Sequence, residues 1–521
     1  MAALEELKMK LKQFSDAAEG NGNSVGVCME PCDSDMVCDG GTVDLVSRSC
    51  GVFNINELGL QKHTDTGGLV DEVTGETMYR CASHEMHTFG AISHGGSSVV
   101  HRAIHVPIHR ILALKKINIF EKEKRQQLLN EIRTLCEACC FQGLVEFQGA
   151  FYAPGSGQIS IALEYMDGGS LADVIRLQKS IPETVLSHIF QKLLIALNYL
   201  HSERHLVHRD IKPANLLMNL KGEAKITDFG ISAYLDNAVS MCGGFVGTVT
   251  YMSPERLRNE KYSYSADIWS IGLAIFECGS GKYPYTANDG PADVMLHILY
   301  DPSPTPGDSF SPEFCSFVDD CLQKDPDARP TVEELLSHPF IKKYEKETVD
   351  LAKYIRGVFD PTQRLKEIAQ MLTVHYYLLF DGADGLWTYT KSFYMDDSTF
   401  SFSGKTYVGT RDIFATLSDI RRKLIGERPR EKLVHVVEKF HCRPHGEDNI
   451  AIHVSGSFIA GTHFLICGSC VQVDGMPDFR ELSPDIDTKR VGTFHEQFHV
   501  VPGSIIGTFE IARQELHILQ K

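Results

Sequence analysis

The sequence predicts an α+β chain in which a strand-rich piece is followed by a helix-rich one and then by a second α+β unit. Three observations carry this. Short apolar runs of strand length, HTFGAI, SSVVHRAIHV and RILALKKI, come first. Long runs with helical spacing follow, among them VLSHIFQKLLIALNYLHSE and ADIWSIGLAIFECGSG. Alternating runs then close the chain: STFSFSG, LVHVVEKFHC, NIAIHVSGSFIA, THFLICGSCVQV and GTFHEQFHVV. Alternation of period two suits a half-buried strand, whereas apolar residues three and four apart suit a helix.

Taken in order, residues 1 to about 14 read as a short amphipathic helix. Residues 15–80 are rich in Gly, Ser, Asp and Asn with weak periodicity, so they are expected to be largely disordered. The three strand-like runs come next, and LLNEIRTLCEACC behind them has helical spacing. After SHPFIKKYEK the pattern changes: a helical stretch at 346–380 leads into the alternating runs of a curved antiparallel sheet. The resulting division is an N-terminal extension (1–82), a first folded unit (83–340), a linker helix (341–365) and a second folded unit (366–520).

Composition narrows the function. The chain has 521 residues, 43% of them hydrophobic, which is ample for conventional cores. Its formal charge of −17, from 68 acidic and 51 basic residues, argues against nucleic-acid binding, which needs dense Lys and Arg. No run of about 18 apolar residues suggests a membrane span. The opening MAALEELKMKLKQF lacks the apolar core of a signal peptide. The fifteen cysteines are expected as reduced thiols, and Cys28, Cys32, Cys38 and Cys50 match no zinc spacing. A cytoplasmic location is expected, with the nucleus as a second one. The basic stretch RRKLIGERPREK reads as a solvated helix and turn.

The strongest chemical signal is HRDIKPANLL at 208–217, followed by DFG at 228–230. Phosphoryl transfer needs a base or orienter for the acceptor hydroxyl, metal ligands, and cations over the phosphates. Asp210 stands where the hydroxyl proton is received, and Lys212 reaches toward the γ-phosphate. Asn215 and Asp228 offer oxygen ligands for Mg²⁺, a hard cation. Phe229 is an apolar plug that directs Asp228. Upstream, Lys115 ends the strand-like LALK as the candidate for the α- and β-phosphates of ATP, and Glu131 in NEIRTL is placed to hold it in an ion pair.

The expected glycine-rich loop reads Ile92, Ser93, His94, Gly95, Gly96, Ser97, Ser98, Val99, Val100. Only the middle glycine of the pattern is kept, with Gly96 beside it. A serine forced to positive φ costs on the order of 1 kcal/mol, so Ser93 weakens the cradle without removing it. Val100 and Ala113 are the candidate adenine-packing residues. Further on, Glu255 in SPE is expected to pair with Arg329 in DARPT, Asp267 and Trp269 to anchor the large lobe, and Thr248 to bond Asp210 and Lys212.

The pattern ALKKI, NEIRTL, ISIALEYMDGGSL, HRDIKPANLL, ITDFGIS and FVGTVTYMSPERL resembles the MAP kinase kinases over residues 83–340. It is most similar to the plant group that carries a nuclear transport factor 2-like tail. The tail resemblance rests on MLTVHYYLLFDG, DDSTFSFSGKTYVGTRDI and FHEQFHVVPGSIIGTFEI, over about 366–520. It implies a bilobal protein kinase fold, with a β-rich N-lobe and a helical C-lobe, followed by a cone-shaped α+β domain. It also implies ATP and Mg²⁺ as cofactors, and Glu164 and Met166 in the adenine-binding hinge. Its implied activity is dual-specificity phosphorylation of Thr and Tyr in a MAP kinase activation loop, under an upstream MAP kinase kinase kinase. KMKLKQF resembles a degenerate MAP-kinase docking peptide, weighed against a plain helix end, which is the slightly favoured reading.

The family's activation sites are two hydroxyls in the segment after DFG, but Ala238 and Gly244 stand at the expected positions here. Ser240 is the nearest hydroxyl, and Arg209 is the arginine such a phosphate would engage. The alternative to an active kinase is therefore a catalytically weak, kinase-shaped scaffold that recruits cascade partners through its tail. For that tail the partner is left open. Asp381, Asp384, Tyr389 and His375 show no spacing that supports a second catalytic site.

Overall fold

The computed structural model describes residues 34–39, 42–47, 51–62, 77–94, 98–118, 128, 131, 132, 134–136, 141–229, 233–234, 249–285, 290–359, 361–425, 432–446, 449–461, 489–505 and 507–520. Its first feature corrects the sequence reading. The extension expected to be largely disordered carries a five-stranded antiparallel meander: Ser34–Asp39, Thr42–Ser47, Gly51–Asn56, Gly59–Lys62 and Thr77–Arg80. The reason is packing across the chain. Ile55 and Leu60 are cross-strand partners, both fully buried, and both join the core of the unit that follows. A polar composition hid these short strands, because only one face needs apolar residues when a neighbour covers it.

The N-lobe is a second five-stranded antiparallel sheet. Its order in space is Met86–His94, Ser98–His105, Arg110–Asn118, Gln158–Glu164 and Phe147–Ala153. The predicted runs HTFGAI and RILALKKI lie in it, as do residues 98–105 of SSVVHRAIHV. The LLNEIRTLCEACC run is helical at its described positions, and there it buries Leu128, Ile132 and Leu135.

Behind the sheet the chain turns helical, as its spacing requires. Leu171–Gln178 starts at a capping box in which Ser170 and Asp173 satisfy each other's backbone N–H groups. Glu183–Asn198 and Ser265–Ser280 form the centre of the C-lobe, and the second of these is apolar on nearly all sides. Trp269 is fully buried there. Together these elements make a bilobal fold with a β-rich N-lobe and a helical C-lobe.

The segment expected as one linker helix is divided. Pro339–Tyr344 packs into the C-lobe core, Leu351–Val358 follows, and Pro361–Phe380 begins a new helix. The last helix lies in a second core with Thr410–Ile425 and a six-stranded sheet. That sheet runs in the order Lys405–Val408, Thr399–Phe402, Phe509–Gln520, Lys489–Pro502, Ile450–Gly461, Lys432–Pro444. It is antiparallel except where Thr399–Phe402 runs parallel to Phe509–Gln520. The predicted strand THFLICGSCVQV lies outside the described residues, as do the N-terminal helix and docking peptide.

Candidate active site

Lys115 is delivered by the central strand of the N-lobe, paired to Val100 on one side and Ile161 on the other. Its ammonium lies 2.6 and 2.8 Å from the two oxygens of Glu131 and 3.0 Å from Asp228. Burial pulls the lysine toward neutrality, but the carboxylates of Asp228 and Glu131 outweigh it and hold the pKa above the ordinary lysine range. The Lys115 charge in turn lowers the Asp228 carboxyl below its usual value against the opposing effect of burial.

Asp228 adopts φ +70°, and Arg209 adopts φ +71°. Such left-handed backbone at non-glycine residues persists only where surroundings enforce it. For Asp228, Phe229 does so: its ring is buried and meets the His208 imidazole edge-on at 5.3 Å. For Arg209, the enforcing group is Asp267. This buried carboxylate accepts hydrogen bonds from the backbone N–H groups of His208 and Arg209 and lies 2.9 Å from His201 Nε2. Burial raises Asp267, but these donors win, and its pKa is lowered.

The loop so held presents Asp210. Lys212 donates to its Oδ2 at 2.7 Å, and the Asn215 amide donates to the same oxygen at 2.9 Å. A short hairpin, Leu216–Met218 with Ala224–Ile226, brings Asn215 beside the Asp228 segment; the Thr227 N–H donates to the Asn215 carbonyl at 3.1 Å. With its amide nitrogen engaged, Asn215 has its side-chain oxygen left as a ligand atom. That oxygen and the Asp228 carboxylate are hard donors that fit Mg²⁺.

The sequence-predicted residues are placed as follows. Lys115, Glu131 and Asp228 form one cluster, and Asp210, Lys212 and Asn215 form another. Val100 and Ala113 lie on adjacent strands of the sheet, half-buried. Ile92 and Ser93 are exposed, Ser98 and Val99 half-buried, and His94 ends the strand Met86–His94. Gly95, Gly96, Ser97, Ala238, Ser240, Gly244 and Thr248 lie outside the described residues. Met166 is buried, and the Glu164 carboxylate accepts from Lys225 at 2.7 Å. Glu255 and Arg329 meet in two 2.8 Å hydrogen bonds. In the C-terminal unit Asp381 pairs with His435, and Asp384 with Arg421. A cavity there, about 20 Å³ and lined by largely apolar surface from residues such as Leu372, Tyr376, Phe393 and Phe498, is no larger than one water.

Sequence reasoning missed three supports: His208 behind Phe229, His201 against Asp267, and Lys225 on Glu164. Only His208 stands in a recognisable motif; the other two carry no spacing signal.

Comparison with known proteins adds to this geometry. The protein kinase domain family matches residues 86–341. Mitogen-activated protein kinase kinase 3 of Arabidopsis thaliana is 65% identical over 520 residues, covering 99% of each chain. Mitogen-activated protein kinase kinase 2 of the same plant is 40% identical over 54% of this chain and 79% of its own. Dual specificity mitogen-activated protein kinase kinase dSOR1 of Drosophila melanogaster is 38% identical over 55% of this chain and 78% of its own.

Proposed function

The chain belongs to the MAP kinase kinase family of protein kinases, and from that premise we propose that it transfers the γ-phosphoryl of ATP to both a threonine and a tyrosine of a MAP kinase activation loop. It is an ATP-dependent protein kinase of a MAP kinase cascade. The observation that supports phosphoryl transfer is the Lys115 ammonium bound at once to Glu131 and Asp228, on the phosphate-facing side of the cleft, whereas the choice of both threonine and tyrosine as acceptors rests on the family alone.

In this reading Asp210 accepts the proton of the acceptor hydroxyl as its oxygen bonds to the γ-phosphorus. The bond from that phosphorus to the β,γ-bridging oxygen breaks, and ADP leaves. Lys212, against Asp210, and Lys115 offset the phosphate charge. Asn215 and Asp228 would hold Mg²⁺, which when bound neutralises charge on the phosphates. Positioning and electrostatics supply most of the rate, so each such contact is worth about 10²–10³-fold.

The partners proposed are a MAP kinase as substrate and a MAP kinase kinase kinase upstream. The C-terminal unit is read as a nuclear transport factor 2-like domain that recruits a partner. Its six-stranded sheet, covered by Pro361–Phe380 and Thr410–Ile425, supports that reading. The small cavity among the described residues of this unit favours protein binding over a second chemistry. The location proposed is the cytoplasm, with the nucleus as a second site.

The test uses the purified full chain, Mg-ATP and an inactive MAP kinase, with Asp210→Asn as control. Phosphosite mapping is expected to show transfer to both the threonine and the tyrosine. Transfer no greater than the control would remove the reading and leave a kinase-shaped scaffold.

A further inference from the structure

The chain segment joining the two lobes is gripped from behind. Helix Leu351–Val358 belongs to the C-lobe: Leu351, Ile355 and Val358 join its core, and Arg356 Nε donates to the Leu220 carbonyl at 3.1 Å. The next helix, Pro361–Phe380, packs instead with N-lobe residues Phe89, Ile104, Val106 and Ile111 in one continuous core. The two helices therefore form a strap from one lobe to the other, past residues 163–169.

Contacts along that path are specific. Gly169 has φ +67°, and a Cβ there would lie 3.3 Å from Phe359 and 3.4 Å from Arg364, so the strap runs against the hinge end. Asp167 accepts from the Leu220 N–H at 2.8 Å. Glu367, on the strap, pairs with Arg102 of the N-lobe sheet at 3.4 Å and with Arg364 at 3.5 Å. Tyr165 sits among these charges and packs against the core that the N-lobe shares with the C-terminal unit. The grip continues beyond the hinge, where the Ile111 N–H donates to the Gly507 carbonyl at 2.9 Å.

We propose that Tyr165 is a positioning residue for ATP binding: packed against the core that the C-terminal unit completes with the N-lobe, it fixes the adenine-facing backbone of residues 163–166, so that docking of that unit sets nucleotide affinity. This rests on the hinge assignment made above. The C-terminal unit is then a working part of the nucleotide site. Losing the anchor frees backbone that must be ordered again when adenine binds, and that cost falls on binding more than on turnover.

The experiment measures KM for ATP, kcat and hydrogen exchange of the hinge in the full chain. Tyr165→Ala is expected to raise KM for ATP about tenfold with kcat within about twofold, and to speed hinge exchange. Tyr165→Phe is expected to recover most of the affinity, because the ring does the packing. Glu367→Lys loosens the strap without altering the kinase unit, and it is expected to shift KM in the same direction. If Mg-ATP protects the hinge amides of the parent chain, yet both Tyr165→Ala and Glu367→Lys leave KM and hinge exchange unchanged, the proposal falls and the hinge assignment stands. Absence of that protection in the parent chain would remove both.

Discussion

The Lys115 ammonium bridges both oxygens of the Glu131 carboxylate, at 2.6 and 2.8 Å, in a setting where both side chains are buried. Glu131 comes from the helical segment and Lys115 from the sheet, so the pair measures whether the N-lobe is assembled. Glu131→Gln keeps the size and loses the charge. Its kcat/KM is expected to fall about 10²-fold while the melting temperature stays close to the parent. Steady-state kinetics on a MAP kinase substrate checks this, and a loss under threefold would contradict it.

The activation segment supplies the second expectation. With Ala238 and Gly244 where phosphorylated hydroxyls are expected, no phosphate can form there to meet Arg209. Ala238→Glu with Gly244→Glu should raise turnover about tenfold if loop order limits the rate. An unchanged rate would show that the loop is ordered by other means.

Glu255 and Arg329 form a buried, two-fold hydrogen-bonded ion pair, and Arg329 also donates to the carbonyls of Gln323 and Ser265. Removing one partner strands the other in the interior. Arg329→Met is expected to cost about 3–5 kcal/mol, read by chemical denaturation. Burial pushes Glu255 up, but Arg329 outweighs it and the folded-state pKa is lowered. The pair's contribution is therefore complete above the ordinary glutamate value and is lost as pH falls below it.

Three histidines join the N-lobe to the C-terminal unit. The Tyr389 carbonyl can only accept, so His109 Nε2 carries a proton and its Nδ1 accepts from His375 Nε2 at 2.8 Å. His375 Nδ1 then accepts from His87 Nδ1 at 2.7 Å, and all three rings are neutral. Burial lowers His87 to about 4 and His109 to about 3. An unfolded chain takes up these protons near 6.5, so the contribution is full above that pH and shrinks as pH falls toward 4. Thermal melts from pH 7 to 4.5 should show declining stability, with a shallower slope in His87→Gln. Equal slopes would remove the histidine explanation.

Gly272 lies where helix Ser265–Ser280 meets Pro312–Cys321. A Cβ there would come within 2.6 Å of the Cys321 Cβ and 2.8 Å of Leu322. Gly272→Ala should destabilise the C-lobe by about 1–3 kcal/mol despite alanine's better helix propensity. Calorimetry checks it, and a stabilised variant would overturn it.

Much of the site was legible because its chemistry is local. Asp210, Lys212 and Asn215 lie within six residues of chain, and Asp228 follows at a fixed hairpin distance, so spacing alone brings them near. Lys115 in LALK and Glu131 in NEIRTL were singled out by their position ahead of those motifs. The N-terminal meander was misread because Gly, Ser and Asp masked alternation that only Ile55, Leu60 and a covering neighbour make productive. The strand Phe509–Gln520 was not singled out because its alternation breaks at a bulge, where Val500 pairs with Ile511 but His499 with Arg513.

Residue types and their order along the chain specified the kinase motifs, the helical and strand periods, and the chemistry those side chains can perform. Tertiary structure decided that Glu367 pairs with Arg102 behind the hinge, that His87, His109 and His375 form one chain, and that the second unit shares a core with the N-lobe. The physical reason is range. Periodicity and motif spacing report contacts made within a few turns or one hairpin, whereas burial between distant segments depends on shapes that exist only after both have folded.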